Sequence, residues 1–273
     1  MYDEPYRWVE AVGNRRQYLD DQFRQGSPLV AISYADGIIL LTTSHGTPKL
    51  YEIYDRIGLG GMGHPADLEK LRFAILDMAH TEGFQRSPGD VTGSRLIKYG
   101  LAPAIKQAFE EIYKAPYITK LVLAELGNLP NQDNFFTVDY DGTFEEHHEV
   151  AVLGATPIIQ DTMRAYLKKH ITPTVVALQT VLDIAVRTWA LGALSQNQYH
   201  ENAESSSSES KETDSSNDSF SEEQILEHLQ NGLKDKTLEC GVLERQAPGS
   251  SKYRTLSQQE IYSLLPLLKQ ATN

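Results

Sequence analysis

Apolar residues in the first third of the chain fall in near-continuous runs. Leu29 to Leu41 is interrupted mainly by Ser33 and the Ala35, Asp36, Gly37 turn. Leu50 to Met62 follows, with a glycine-rich end at Gly60, Gly61 and Gly63. Such runs predict two strand pairs buried on both faces, together forming an opening sheet inside a layered fold. Upstream, Val9, Val12, Tyr18, Leu19 and Phe23 supply the apolar positions of a helix over 8–25, ended by Gly26. Downstream, Leu68, Leu71, Ile75, Met78 and Ala79 recur at helical spacing from His64 onward. A second helix is predicted from Asp90 to Lys114, with Pro116 after its end.

The same alternation of classes continues. Leu121–Leu126 reads as a strand, and 135–140 with 143–153 as a hairpin around Asp141 and Gly142. Helices are predicted over 156–170, 174–194 and 220–233. A core strand over 237–245 pairs with 253–256, and a helix over 257–269 closes the chain. Strands, two helices, strands and two more helices imply helix layers on both faces of stacked sheets.

Charge changes this picture at one place. Of the formal net charge of −12, Glu201–Glu223 contributes −7 from eight acids and one lysine, leaving −5 elsewhere. The eight serines of Asn202–Ser219 predict a disordered loop, at about 200–220, within one domain spanning 1–273. A globally acidic chain argues against nucleic-acid binding. Cys240 is the only cysteine, so neither an intrachain disulfide nor a cysteine-based zinc site can form. Met1–Glu4 lacks the form of a secretory signal, and no apolar run is long enough to span a bilayer, so a cytoplasmic location is expected.

Two motifs are set aside. Gly60–Gly63 precedes a helix but lacks the Lys-Ser/Thr ending of a phosphate loop, so no nucleotide or other cofactor is expected. His147 and His148, among Glu145, Glu146 and Glu149, would point to opposite faces of a strand, and no metal site is expected.

Five segments in order carry a resemblance: 29–40, 50–59, Asp90 to Gly93 with the following helix, Val138 to Gly142, and Thr237–Arg245. The chain resembles a bacterial proteasome alpha-type subunit. The resemblance implies the four-layer alpha-beta-beta-alpha sandwich of N-terminal-nucleophile hydrolases, an α/β (α+β) fold. It also implies a homo-heptameric alpha ring stacked on catalytic beta subunits of a 20S core particle. Such a ring gates substrate entry, templates the beta rings and receives a ring-shaped ATPase activator through its C-terminal tail. Met1, Tyr2, Asp3, Glu4, Pro5 and Tyr6 match the gate.

In catalytic relatives a threonine freed by cleavage after glycine is the nucleophile, tuned by a lysine and a supporting acid. Here Gly26 and Ser27 match the cleavage site, Lys49 falls near the lysine, and the acid position falls near uncharged Thr43. Pro28 also constrains the backbone beside Ser27. The resemblance therefore implies a subunit with no catalytic residue of its own within a threonine-type endopeptidase complex. Its alternative is a self-processing hydrolase using Ser27 and Lys49. In alpha subunits the matching lysine lines a pocket between neighbours and pairs with an activator's carboxylate. Gly26 matches a glycine of that pocket, and Gln17 stands where archaeal members place a glutamate.

Overall fold

The structure, a computed structural model, describes residues 4–111, 113–171, 177–205, 220–233 and 235–265, excluding the side chains of 4–6, 199–205 and 230. Helix α1 (Glu4–Phe23) leads into strands β1 (Leu29–Tyr34), β2 (Gly37–Ser44), β3 (Leu50–Tyr54) and β4 (Ile57–Gly63). Helices α2 (Pro65–Gln85), α3 (Gly93–Leu96) and α4 (Ala102–Glu110) follow. Strands β5 (Thr119–Glu125), β6 (Asn134–Val138), β7 (Phe144–His147) and β8 (Val150–Leu153) come next. The chain ends with helices α5 (Pro157–His170), α6 (Leu178–Ser205) and α7 (Glu222–Gly232), strands β9 (Thr237–Glu244) and β10 (Tyr253–Thr255), and helix α8 (Gln258–Leu264).

Two antiparallel five-stranded sheets form the centre. One has the order β10-β9-β2-β1-β8 and the other β3-β4-β5-β6-β7. The two opening strand pairs therefore belong to different sheets, contrary to the expectation of one opening sheet. Five residues separate β2 from β3. That connection, Gly46 at φ 101° within it, lets the chain cross between layers. Helices α5 and α6 cover the first sheet, and α2 with the α3–α4 segment covers the second. The alpha-beta-beta-alpha sandwich expected from the sequence is the observed architecture. Every residue of β2 is buried because α6 lies on one face and the second sheet on the other.

The hairpin predicted around Asp141 and Gly142 is present as β6 and β7, but its second strand, expected over 143–153, is instead two strands in two sheets. β7 pairs β6, and β8 pairs β1. Between them Glu149 takes φ 67°, and its carbonyl accepts the Ser33 N–H at 2.7 Å. A left-handed residue turns the chain too sharply for one strand to continue. The single helix expected over 90–114 is also broken. A π-turn spans Ile97–Leu101, and Pro103 sits in the first turn of α4. Proline has no N–H to give back along the helix, and the widened turn absorbs the lost bond.

The predicted α1 over 8–25 begins earlier, taking in Glu4, Pro5 and Tyr6; proline is tolerated in a first turn. Met1, Tyr2 and Asp3, like the serine-acid stretch 206–219, lie outside the described residues. α6 runs on to Ser205, beyond the expected end at 194, and the expected end of the last helix past 265 is outside the description. α1 docks through buried Leu19 and Phe23. Arg15 donates to the carbonyls of Phe109 at 2.8 Å and Glu111 at 2.7 Å, meeting orphan oxygens at the end of α4. No described helix is long and apolar enough to cross a membrane.

Asp133 joins the two sheets. Its carboxylate is wholly buried and pairs with Arg245 at 2.9 Å, while also accepting the Ser33 hydroxyl and the Gly127 N–H. Removing one partner would leave a buried charge unmatched. Asp133→Ala should therefore cost about 3–5 kcal/mol. Urea unfolding would measure this, and a loss under about 1 kcal/mol would contradict the role given to the pair.

Candidate functional site: the α1–β1 junction

β1 begins where α1 ends, and the short connection carries Gly26, Ser27 and Pro28. Antiparallel pairing of β1 with β2 brings Thr42 and Thr43 beside this connection. Ser27 is 7% exposed. Its hydroxyl oxygen accepts the indole N–H of Trp189, on α6, at 3.0 Å. It also lies 2.8 Å from the Thr43 hydroxyl, and the Thr43 N–H approaches it at 3.4 Å. Ser27 is thus held on several sides by neutral partners. Among the described residues no imidazole, carboxylate or amine is a hydrogen-bond partner of Ser27.

Lys49 immediately precedes β3 and is half-buried. Its ammonium donates to the Thr43 carbonyl at 3.0 Å, and its backbone N–H donates to the Glu239 carboxylate at 2.9 Å. Burial pulls the Lys49 ammonium below the ordinary lysine range, and the Glu239 charge opposes that shift. Lys49 and Ser27 therefore meet the same residue, Thr43, from different sides: one its carbonyl, the other its hydroxyl.

Gly26 comes close to the Lys49 strand through β4. The Lys49 carbonyl accepts the Gly61 N–H at 3.0 Å. The next residue, Met62, is fully buried against Gly26, where a Cβ would lie 2.3 Å from the methionine methyl. Gln17 is not brought to this group within one chain. It is exposed on α1, two residues from buried Leu19 and so on the far side of the helix.

Sequence reasoning did not find Trp189, Met62, Gln196 or Glu239. Trp189 was legible only as part of the apolar stripe of α6. Glu239 sits opposite Thr42 in the β2–β9 ladder, a pairing across nearly two hundred residues that no local pattern announces. Among the described residues no group of three or more His, Cys, Asp or Glu side chains is placed to hold a metal ion. His147 is half-buried and within 3.0 Å of the Thr137 hydroxyl, while His148 is exposed.

A double-layered sandwich with a strand-start hydroxyl and a nearby lysine defines a class, and comparison with known proteins gives its family. The model described as proteasome subunit matches residues 23–185, more than half of the chain. The chain belongs to the proteasome subunit family. Its relatives include the proteasome subunit alpha of Actinosynnema mirum, 30% identical over 184 residues that cover 67% of this chain and 68% of the relative. That of Acidothermus cellulolyticus is 30% identical over 179 residues, 64% of this chain and 75% of the relative. That of a Nocardioides species is 32% identical over 163 residues, 58% and 61% respectively. The resemblance read from the sequence is thereby borne out.

The Trp189–Ser27 contact can be isolated by a double-mutant cycle. Trp189→Phe and Ser27→Ala should couple by about 1 kcal/mol, the usual net worth of a buried hydrogen bond. Additive losses within about 0.3 kcal/mol would show that the two groups do not interact.

Proposed function

We propose that this chain is a non-catalytic alpha subunit of a 20S proteasome core particle. It is one alpha-type domain over 1–273. Seven copies form a ring that templates the beta rings and gates substrate entry. Peptide-bond hydrolysis belongs to the assembled threonine-type endopeptidase in the cytoplasm.

The observation that carries the reading is the surroundings of Ser27. In the self-processing alternative the amine freed at Ser27 would be the general base, so what must face the hydroxyl is the tuning lysine and its supporting acid. Ser27 has an indole N–H and threonine groups instead, and the Lys49 ammonium is engaged with the Thr43 carbonyl. An N–H donated to the serine oxygen lowers its electron density, which weakens it as a nucleophile.

Lys49 then serves as a docking cation. A half-buried ammonium attracts a carboxylate more strongly than one in open water. An ATPase activator's C-terminal tail places its carboxylate on Lys49 and its backbone beside Gly26. Gln17 belongs to the wall that a neighbouring copy offers. Residues 1–6 act as the gate.

Electron microscopy of the chain with a beta subunit should show a seven-membered ring stacked on a second ring. A chain isolated with Ser27 as its first residue would overturn the reading and favour self-processing, which intact mass spectrometry decides. Lys49→Ala should abolish activator binding and leave the ring intact; unchanged binding would remove Lys49 from the pocket.

A further inference from the structure

Helix α6 grips the α1–β1 junction at two points. Trp189 and Gln196 are seven residues apart, two turns along one face. Trp189 donates to the Ser27 hydroxyl at 3.0 Å. Gln196 is 6% exposed, and its Nε2 donates to the carbonyls of both Arg24 and Gly26, the latter at 3.0 Å. The Arg24 and Gly26 N–H groups turn back onto the carbonyls of Asp21 and Phe23. Among the described residues no backbone donor reaches the Gly26 carbonyl.

The orientation of this amide is fixed by chemistry. Reversed, its oxygen would face two carbonyl oxygens. As placed, both donors are used, while Oε1 is buried with no partner. A buried acceptor left unmatched is costly, so what this side chain contributes to the junction is its donors. On the opposite side of the junction Gly26 abuts Met62, whose strand neighbour Gly61 is bonded to the Lys49 carbonyl. Gln196 thus pulls on Gly26 from one side while Met62 limits it from the other.

We propose that Gln196 is a positioning residue for the docking pocket. It sets the Gly26 backbone at a fixed place relative to Lys49, so that a peptide's terminal carboxylate and its neighbouring amide groups are met together. This rests on the docking reading of Lys49 and Gly26. The ligand class is a peptide with a free C-terminal carboxylate. Lys49 recognises the charge, and Gln196 maintains the frame on which the peptide backbone lies.

The test uses the full chain assembled into its ring and the peptide acetyl-Gly-Ser-Leu-Ala-Leu, as free acid and as terminal amide. The unsubstituted protein should bind the acid more tightly than the amide, and Lys49→Ala should erase that preference. Gln196→Leu should weaken both forms by about tenfold while keeping the preference, the scale expected when a buried carbonyl loses its donor. Gln196→Asn keeps the amide but is one methylene too short to reach both carbonyls, and it should behave alike if the leucine variant fails to fold. Amide hydrogen exchange provides an independent arm. Both variants should speed exchange at residues 24–27 relative to the strands of both sheets. Binding like that of the unsubstituted protein, or unchanged exchange at 24–27, would overturn the proposal. A protein without carboxylate preference would sink the docking reading, while the exchange arm would still decide the role of Gln196.

Discussion

Two sheets that stack face to face need something to fix their relative placement, because apolar contact alone is non-directional. Here the buried pair of Asp133 and Arg245 supplies direction. Asp133 lies on the β5–β6 connection of one sheet, and Arg245 follows β9 of the other. The aspartate also takes the Ser33 hydroxyl of β1, and the Arg245 N–H reaches the Asp36 carbonyl in the β1–β2 turn at 2.8 Å. A buried carboxylate survives only when its charge and its lone pairs are met. Satisfying both locks the turn, the strand end and the loop into one register. The far end of β1, where Ser27 lies, inherits that placement.

At that far end polar groups are arranged on a different principle. Around Ser27 the partners are neutral, and each bond satisfies a buried group without creating a reactive one. Lys49 lies close by beside the Glu239 carboxylate, and its ammonium is turned to a carbonyl. Whether a hydroxyl so placed is reactive or saturated is set by a few donors and acceptors around it, not by the layers. This is the physical content of the statement that function resides in sites set upon folds.

Most of the layered fold was legible because it is written in local periodicity. The runs of β1 to β4, the stripe of α2 and the core strand β9 all appear as apolar patterns within about ten residues. The errors have local physical causes too. Pro103 reshaped an apparently continuous helix, and Glu149 divided an apparently continuous strand between two sheets. Neither effect is visible in apolar spacing, since both depend on where the chain must go next. At the site, Gly26, Ser27 and Lys49 were legible by resemblance. Trp189, Gln196 and Glu239 were not, because a side chain that serves a distant backbone group leaves no spacing signature.

The sequence by itself determined the element types, the four-layer class and the residues whose presence or absence frames the chemistry: a serine after glycine, one lysine and an uncharged Thr43. These follow from side-chain size, polarity and order along the chain. Tertiary structure alone decided what surrounds them. It divided the two opening strand pairs between two sheets, brought Glu239 to the Lys49 backbone and set the Trp189 indole on the Ser27 oxygen. Those contacts join segments far apart in sequence. Their strength comes from burial, which no single stretch of the chain can confer on itself.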